Sequence, residues 1–271
     1  MKNRSTFLVS ILILGYAFLY IPIISLIVYS FNESRLVTVW SRFSTKWYRE
    51  LLHNDQLLDA AWLSIKIASI NACLAVVLGT MAALALVRFR NRRGSASLGI
   101  MVTAPLVMPD VITGLSLLLL FVAMETVLGW PNGRGQTTII IAHVTFSMAY
   151  VTIIVQSRLA SMDRSLEEAA MDLGAKPVKI FFAITLPLIS PALIAGWLLA
   201  FTLSMDDLII ASFVSGPGST TLPMVVYSSV RLGVSPQINA LAAIIVGVVS
   251  FAVVVAGWIM YRQEKNRQLR L

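Results

Sequence analysis

Six stretches of the chain are apolar over about twenty residues or more, at 7–31, 62–87, 98–124, 137–157, 188–213 and 237–261. An α-helix needs roughly 20 apolar residues to cross a bilayer, and a barrel strand about 10 alternating ones. The lengths therefore predict six transmembrane helices in an all-α membrane protein, each satisfying its own backbone hydrogen bonds where lipid supplies none. The first run follows Met1-Lys2-Asn3-Arg4 and is about twice the apolar length of a cleaved signal peptide, so it is expected to remain as the first span. One transmembrane domain over 1–271 is expected, with a cytoplasmic loop at 158–187.

Composition agrees with lipid as the main solvent. Of 271 residues, 58% are hydrophobic and 13% charged, against roughly 25% charged in a soluble domain. The net charge of +8 could suggest nucleic acid, but its distribution argues against that. The N-terminus, the 88–97 and 158–186 loops and the C-terminal tail hold 14 of the 21 Lys and Arg, and the intervening loops hold 6. The excess of basic residues marks the cytoplasmic side, so both termini face inward and no nucleic-acid partner is implied. The last of the 21, Lys66, sits inside the second span and is expected to snorkel to the outer surface. A single cysteine, Cys73, lies in an apolar run and can form neither an internal disulfide nor a zinc site.

Short elements are expected in three loops. Residues 44–52 begin with Ser44 and Thr45 and carry Trp47, Tyr48, Leu51 and Leu52, which predicts a short helix at the outer interface. Pro223 suits the first turn of another and Gly233 its stop, and Ser235-Pro236 reads as the cap and first residue of the sixth span. In the 158–187 loop, Ser165 and Glu168 have the spacing of a capping box. Gly174 can end that helix in a left-handed conformation. Pro177 can open a second short helix over 178–184 that Pro187 stops. Ala169 and Ala170 leave the first helix with a shallow surface that a partner could approach closely.

Glu168-Ala169-Ala170, Gly174, Ile184, Leu186 and Pro187 match every fixed position of the pattern E-A-A, three residues, Gly, nine residues, I-x-L-P. The chain thereby resembles the permeases of ABC importers. The resemblance implies a type I importer fold in a bacterial inner membrane, with Glu168 to Gly174 as the coupling helix that sits in a groove of an ATPase subunit. It also implies a second homologous permease chain, giving a heterodimer, and an outer receptor that delivers cargo. The chain holds no G-x-x-x-x-G-K-[ST], so no cofactor is expected in it, and ATP and Mg would be bound by the partner ATPase. Residues 104–114 (APLVMPDVITG), 204–213 (SMDDLIIASF), 216–218 (GPG) and 221–224 (TLPM) are similar to polyamine permeases. That resemblance implies putrescine or spermidine as cargo, moved by alternating access, and does not rank the two. It also implies a periplasmic polyamine-binding protein as the receptor.

The acids within the spans agree with a cationic cargo. A carboxylate in mid-membrane costs roughly 2.5–3.5 kcal/mol on insertion scales, so it needs a partner or a wet cavity. Asp110, Asp206 and Asp207 are the candidates for the substrate path. Asp206 and Asp207 are adjacent, so on an unbroken helix only one can face the path squarely. Glu125 lies near an outer end and is expected to be interfacial. His143, alone in the fourth span, is expected to pack in the interior. A permease for another solute remains open, although an anionic cargo would want Arg or Lys in the path. An intramembrane enzyme would need a nucleophile and a base fixed together, and His143 has no Ser or Cys partner set by spacing. Finally, P-L-x-x-P-x-x-I-x-G occurs at 105–114 and again at 187–196. As a parallel repeat it predicts kinks near Pro109 and Pro191 and superposable backbones in the third and fifth spans.

Overall fold

The computed structural model describes residues 2–36, 39–89, 94–232 and 235–268. Among them the regular structure is helical, apart from one antiparallel bridge between Asn32 and Phe43. The chain divides into two compact units, Met1–Leu58 with Val226–Leu271, and Asp59–Val225.

In the first unit, α1 (Lys2–Ser30) packs with the final long helix, as does α2 (Lys46–Leu51). The short helix expected over 44–52 exists, but Trp47 is turned into the protein. It is 2% exposed, and its indole Nε1 donates to the Asn32 carbonyl at 2.6 Å. A buried indole N–H needs an acceptor, and the chain's return through Asn32 supplies one. The side chain of Asn32 in turn donates to Val39 O at 2.7 Å and accepts from Ser41 N at 3.0 Å, so the segment folds on itself.

The second unit holds the rest: α3 (Asp55–Arg88) from Asp59 onward, α4 (Ser95–Thr103), a 3-10 turn (Ala104–Leu106), α5 (Asp110–Leu128), α6 (Gln136–Ala160), α7 (Ser165–Asp172), α8 (Pro177–Ile180), a π-turn (Phe181–Thr185), α9 (Leu186–Asp206), α10 (Ile209–Val214) and the start of α11 (Leu222–Leu232). The final helix, α12, is Pro236–Gln268. Pro223 lies in the first turn of α11 as expected, while Gly233 falls outside the described residues.

Among the described residues, five helical segments are long and apolar enough to span a bilayer: Phe7–Ser30, Asp55–Arg88, Asp110–Leu128, Gln136–Ala160 and Pro177–Asp206. The sixth long helix, α12, is apolar over Pro236–Phe251. Two expected spans are broken. The third, 98–124, is not one helix: the ladder stops after the turn at Leu106 and restarts at Asp110, with Pro109 extended at ψ 137°. The fifth, 188–213, begins earlier, at Pro177, and ends at Asp206, where Asp207 turns extended before α10.

The same comparison ends the repeat. Residues 187–196 form continuous α-helix through Pro191, whereas 105–114 contain a 3-10 turn, a break and a new helix. Proline at position i leaves the carbonyl of i−4 without its donor. At Pro191 the Ser190 hydroxyl donates to that orphan, Pro187 O, at 2.8 Å, and the helix continues. Pro109 instead follows a 3-10 turn that has already ended the preceding helix, and the next helix starts at Asp110.

Close helix contact holds the second unit together. Val151, fully buried on α6, stands between glycines of two neighbours. A Cβ on Gly79 of α3 would lie 2.9 Å from Val151 Cβ and 3.0 Å from Met148 O, and one on Gly196 of α9 would lie 3.3 Å from Val151 Cγ1. Without a hydrophobic force between helices in lipid, such close backbone approach supplies the association energy. Asn71 adds a polar clamp, its Nδ2 donating to Ser147 Oγ on α6 at 3.1 Å and to Ala200 O on α9 at 2.9 Å.

Gly79→Ala should lower stability by about 1–3 kcal/mol through overpacking. Gly15→Ala, where a Cβ meets nothing within 4 Å, should change it by no more than about 1 kcal/mol. Thermal unfolding in detergent measures both, and equal melting of the two variants would contradict the packing at Val151.

Candidate functional site

The 158–187 loop folds as a helix pair, with different caps from those expected. Ser165 is already inside the first turn of α7, with Arg164 at the cap position, so the Ser165–Glu168 box does not form. The Asp163 carboxylate accepts from Ser165 N at 2.9 Å instead. That backbone bond, followed by one from the Ser165 hydroxyl, holds the Asp163 carboxyl below its usual range. A depressed carboxylate stabilises the folded form at pH above its unfolded value, and the contribution fades as pH falls through the folded one.

At the other end Gly174 has φ +80°, as expected of a left-handed stop. Gly174 N bonds Met171 O at 2.8 Å and Ala175 N bonds Ala170 O at 3.0 Å, the paired bonds of a Schellman turn. Pro177 opens α8, but Pro187 does not end it. The helix runs on through the π-turn 181–185 into α9. Pro187 has no N–H to contribute, and it falls just after a turn where the hydrogen-bond ladder has already changed partners.

The motif residues sit where a partner can reach them. Glu168, Ala169 and Gly174 are exposed and Ala170 is half-buried, and α7 has no buried residue at all. Ile184 and Leu186 are half-buried and Pro187 is exposed along the continuous α8–α9 rod. The residue beside the motif faces the protein. Glu167 Oε1 and Oε2 accept from Arg88 Nη2, at 2.9 and 3.0 Å, and Oε1 also accepts from the Thr185 hydroxyl. Sequence reasoning missed this, because nothing local distinguishes Glu167 from Glu168. Two further arginines tie the loop to span ends, Arg164 Nη2 to Val87 O at 3.4 Å and Arg158 Nε to Leu188 O at 3.2 Å.

The candidate acids separate into two kinds. Asp207 is committed to the fold. Its Oδ1 accepts from Ile210 N at 3.2 Å and its Oδ2 from Ala211 N at 2.7 Å, capping α10. Its Oδ2 also lies 3.1 Å from His143 Nε2. His143, 2% exposed, shares its other nitrogen with Ser204 Oγ at 2.7 Å. With the proton on Nε2 the ring donates to the carboxylate and accepts the serine hydroxyl, so His143 is a satisfied interior residue as expected. Ser204, His143 and Asp207 are thus hydrogen-bonded in series, yet serine and histidine are enclosed and the carboxylate is occupied by backbone amides. The series joins α6, α9 and α10 rather than presenting a nucleophile.

Asp206 and Asp110 are exposed. Asp206 is the last residue of α9, where the helix dipole and the final carbonyls already concentrate negative potential. Such half-helix ends attract cations in transporters. Asp110 is the first residue of α5, just after the other break. The elements that carry these breaks touch, since a Cβ on Gly114 of α5 would lie 2.7 Å from Phe213 and 3.3 Å from Ile210 Cα of α10. Glu125 caps its own loop, accepting from Gly133 N at 2.9 Å, and Lys66 is exposed.

Comparison with known proteins agrees with this architecture. The chain is 61% identical over 264 residues to the putrescine transport system permease protein PotI of Escherichia coli strain K12, covering 97% of this chain and 94% of that one. It is 44% identical over 249 residues to the spermidine/putrescine transport system permease protein PotC of the same strain, covering 92% and 91%. Among solved structures, a chain of a bacterial ABC transporter that imports the acidic polysaccharide alginate superposes with a TM-score of 0.71 at 20% identity, covering 96% of this chain and 97% of that one. The helices form the fold of ABC importer permeases, residues 75–268 match the family described as binding-protein-dependent transport system inner membrane component, and the chain belongs to that family.

Proposed function

We propose that this chain is a membrane-spanning subunit of an ATP-driven polyamine importer in a bacterial inner membrane, with putrescine as its first cargo. The names of its relatives support the cargo class. The observation that carries the reading is the pairing of an outward-facing α7 at one end of α9 with a free carboxylate, Asp206, at the other. The exposed motif surface docks an ATPase subunit, which binds ATP and Mg. A second, homologous permease completes the path, and a periplasmic polyamine-binding protein delivers the cargo. ATP-driven closure of the ATPases moves α7 and switches the cavity between its outward and inward openings. At the break, Asp206 and the final carbonyls of α9 receive an ammonium group, with Asp110 as a second acid. Asp207 shapes the break.

The complete complex, reconstituted in vesicles with its receptor, should accumulate putrescine when ATP is supplied. ATPase stimulation by another solute with none by any polyamine would reject the cargo. Asp206→Asn should raise the half-saturating putrescine concentration by about tenfold, equivalent to ~1.4 kcal/mol. A variant that transports with the original half-saturation removes Asp206 from the path. Glu168→Lys should reduce the ATPase subunit that co-purifies with the permease, and full recovery of that subunit would displace α7 as the docking surface.

A further inference from the structure

We infer that the Glu167 carboxylate is the joint that transmits the movement of α7 to the membrane helices, acting as a positioning residue for transport. The inference rests on the reading of α7 as the surface that docks a partner ATPase.

An eight-residue helix with no buried side chain cannot hold its place by packing, and it is too short to be stable alone. Its position depends on polar links. Glu167 supplies the strongest of them, because its partners include a guanidinium and charge-assisted bonds are the strong ones. Its side chain is 17% exposed, while Glu168 beside it is open to solvent. Three elements meet at this one carboxylate: α7 itself, the last residue of α3 (Arg88), and the last residue of the π-turn (Thr185, fully buried).

The position of Thr185 gives the joint its direction. A π-turn is a local widening of the helix, and such turns recur at functional sites. Thr185 stands where the π-turn ends and the 21-residue helix α9 begins. Beyond that point the helix is a continuous rod of about 30 Å. Its orphan carbonyl at Pro187 is taken by the Ser190 hydroxyl, and the helix is continuous through Pro191. At its far end stands Asp206. A displacement of α7 therefore pulls on Thr185 through Glu167, is accommodated in the π-turn, and moves α9 and the break at Asp206 as one body. The Arg88 guanidinium keeps the carboxylate oriented and makes the end of α3 follow. Glu168 would meet the partner and Glu167 would move the spans.

The test uses the whole transporter with its ATPase, second permease and receptor, and reads ATP hydrolysed per putrescine imported. Glu167→Gln and Thr185→Val should each raise that ratio about tenfold, the size of one charge-assisted hydrogen bond. The ATPase subunit should co-purify at the original yield in both. Thr185→Ser, which keeps the hydroxyl, should keep the original ratio. The double variant should be no worse than the worse single one, because Glu167→Gln weakens and Thr185→Val removes the same link. If Glu167→Gln gives no assembled complex, Thr185→Val decides by the same ratio. An unchanged ratio in Thr185→Val overturns the inference. So does loss of ATPase co-purification in Glu167→Gln with a normal ratio in Thr185→Val, which would make Glu167 part of the docking surface. Failure of the broader reading looks different: Glu168→Lys would then leave ATPase binding intact.

Discussion

A backbone group inside a bilayer has no water to bond, so a helix there can stop or bend only where the protein supplies a substitute partner. Two points in the second unit follow that constraint. At the break after Asp206, the Asp207 carboxylate takes the free N–H groups of Ile210 and Ala211. At Pro191, the Ser190 hydroxyl takes the carbonyl that proline leaves unbonded. A side chain that caps the backbone is not free for cargo. This is why Asp207, with three hydrogen-bond partners, is part of the scaffold, and Asp206, with an open carboxylate at a negative helix end, is the cargo candidate.

The helices that carry these points are held at fixed spacing by small residues and one buried amide. Gly79 and Gly196 let α3 and α9 close on Val151, and Asn71 joins the same three helices by hydrogen bonds. Overpacking any one contact displaces a helix that also carries a functional end. The long α9 has the loop of α7 and α8 before it and Asp206 at its end. Rigidity between those ends is what a mechanical link between ATPase and cargo requires.

The two glutamates of the loop show how adjacent residues divide such work. On a helix successive side chains point about 100° apart. Glu168 is thereby left open to solvent, and Glu167 is turned to Arg88 and Thr185. With no apolar burial in α7, these polar ties decide whether the loop moves alone or carries the spans with it.

Chain-local physics made much of this legible in advance. Run length marked the helices that can cross a membrane, the basic loops predicted their orientation, and Gly174 and Pro177 marked turns, because each depends only on neighbours in sequence. The motif around Glu168 was legible for the same reason, being a contiguous surface. Other features needed partners far along the chain. Glu167 acquires its role from Arg88, 79 residues away, and His143 and Asp207 meet across 64. Pro191 lies inside a continuous helix and Pro109 after a 3-10 turn, so two similar stretches took different backbones. Trp47 turned inward because Asn32 offered a carbonyl. Sequence by itself determined which segments are apolar enough to enter lipid and which loop carries the motif. Only tertiary structure decided which polar groups were already spent on holding the helices, since a hydrogen bond once made inside the fold is no longer available to a ligand.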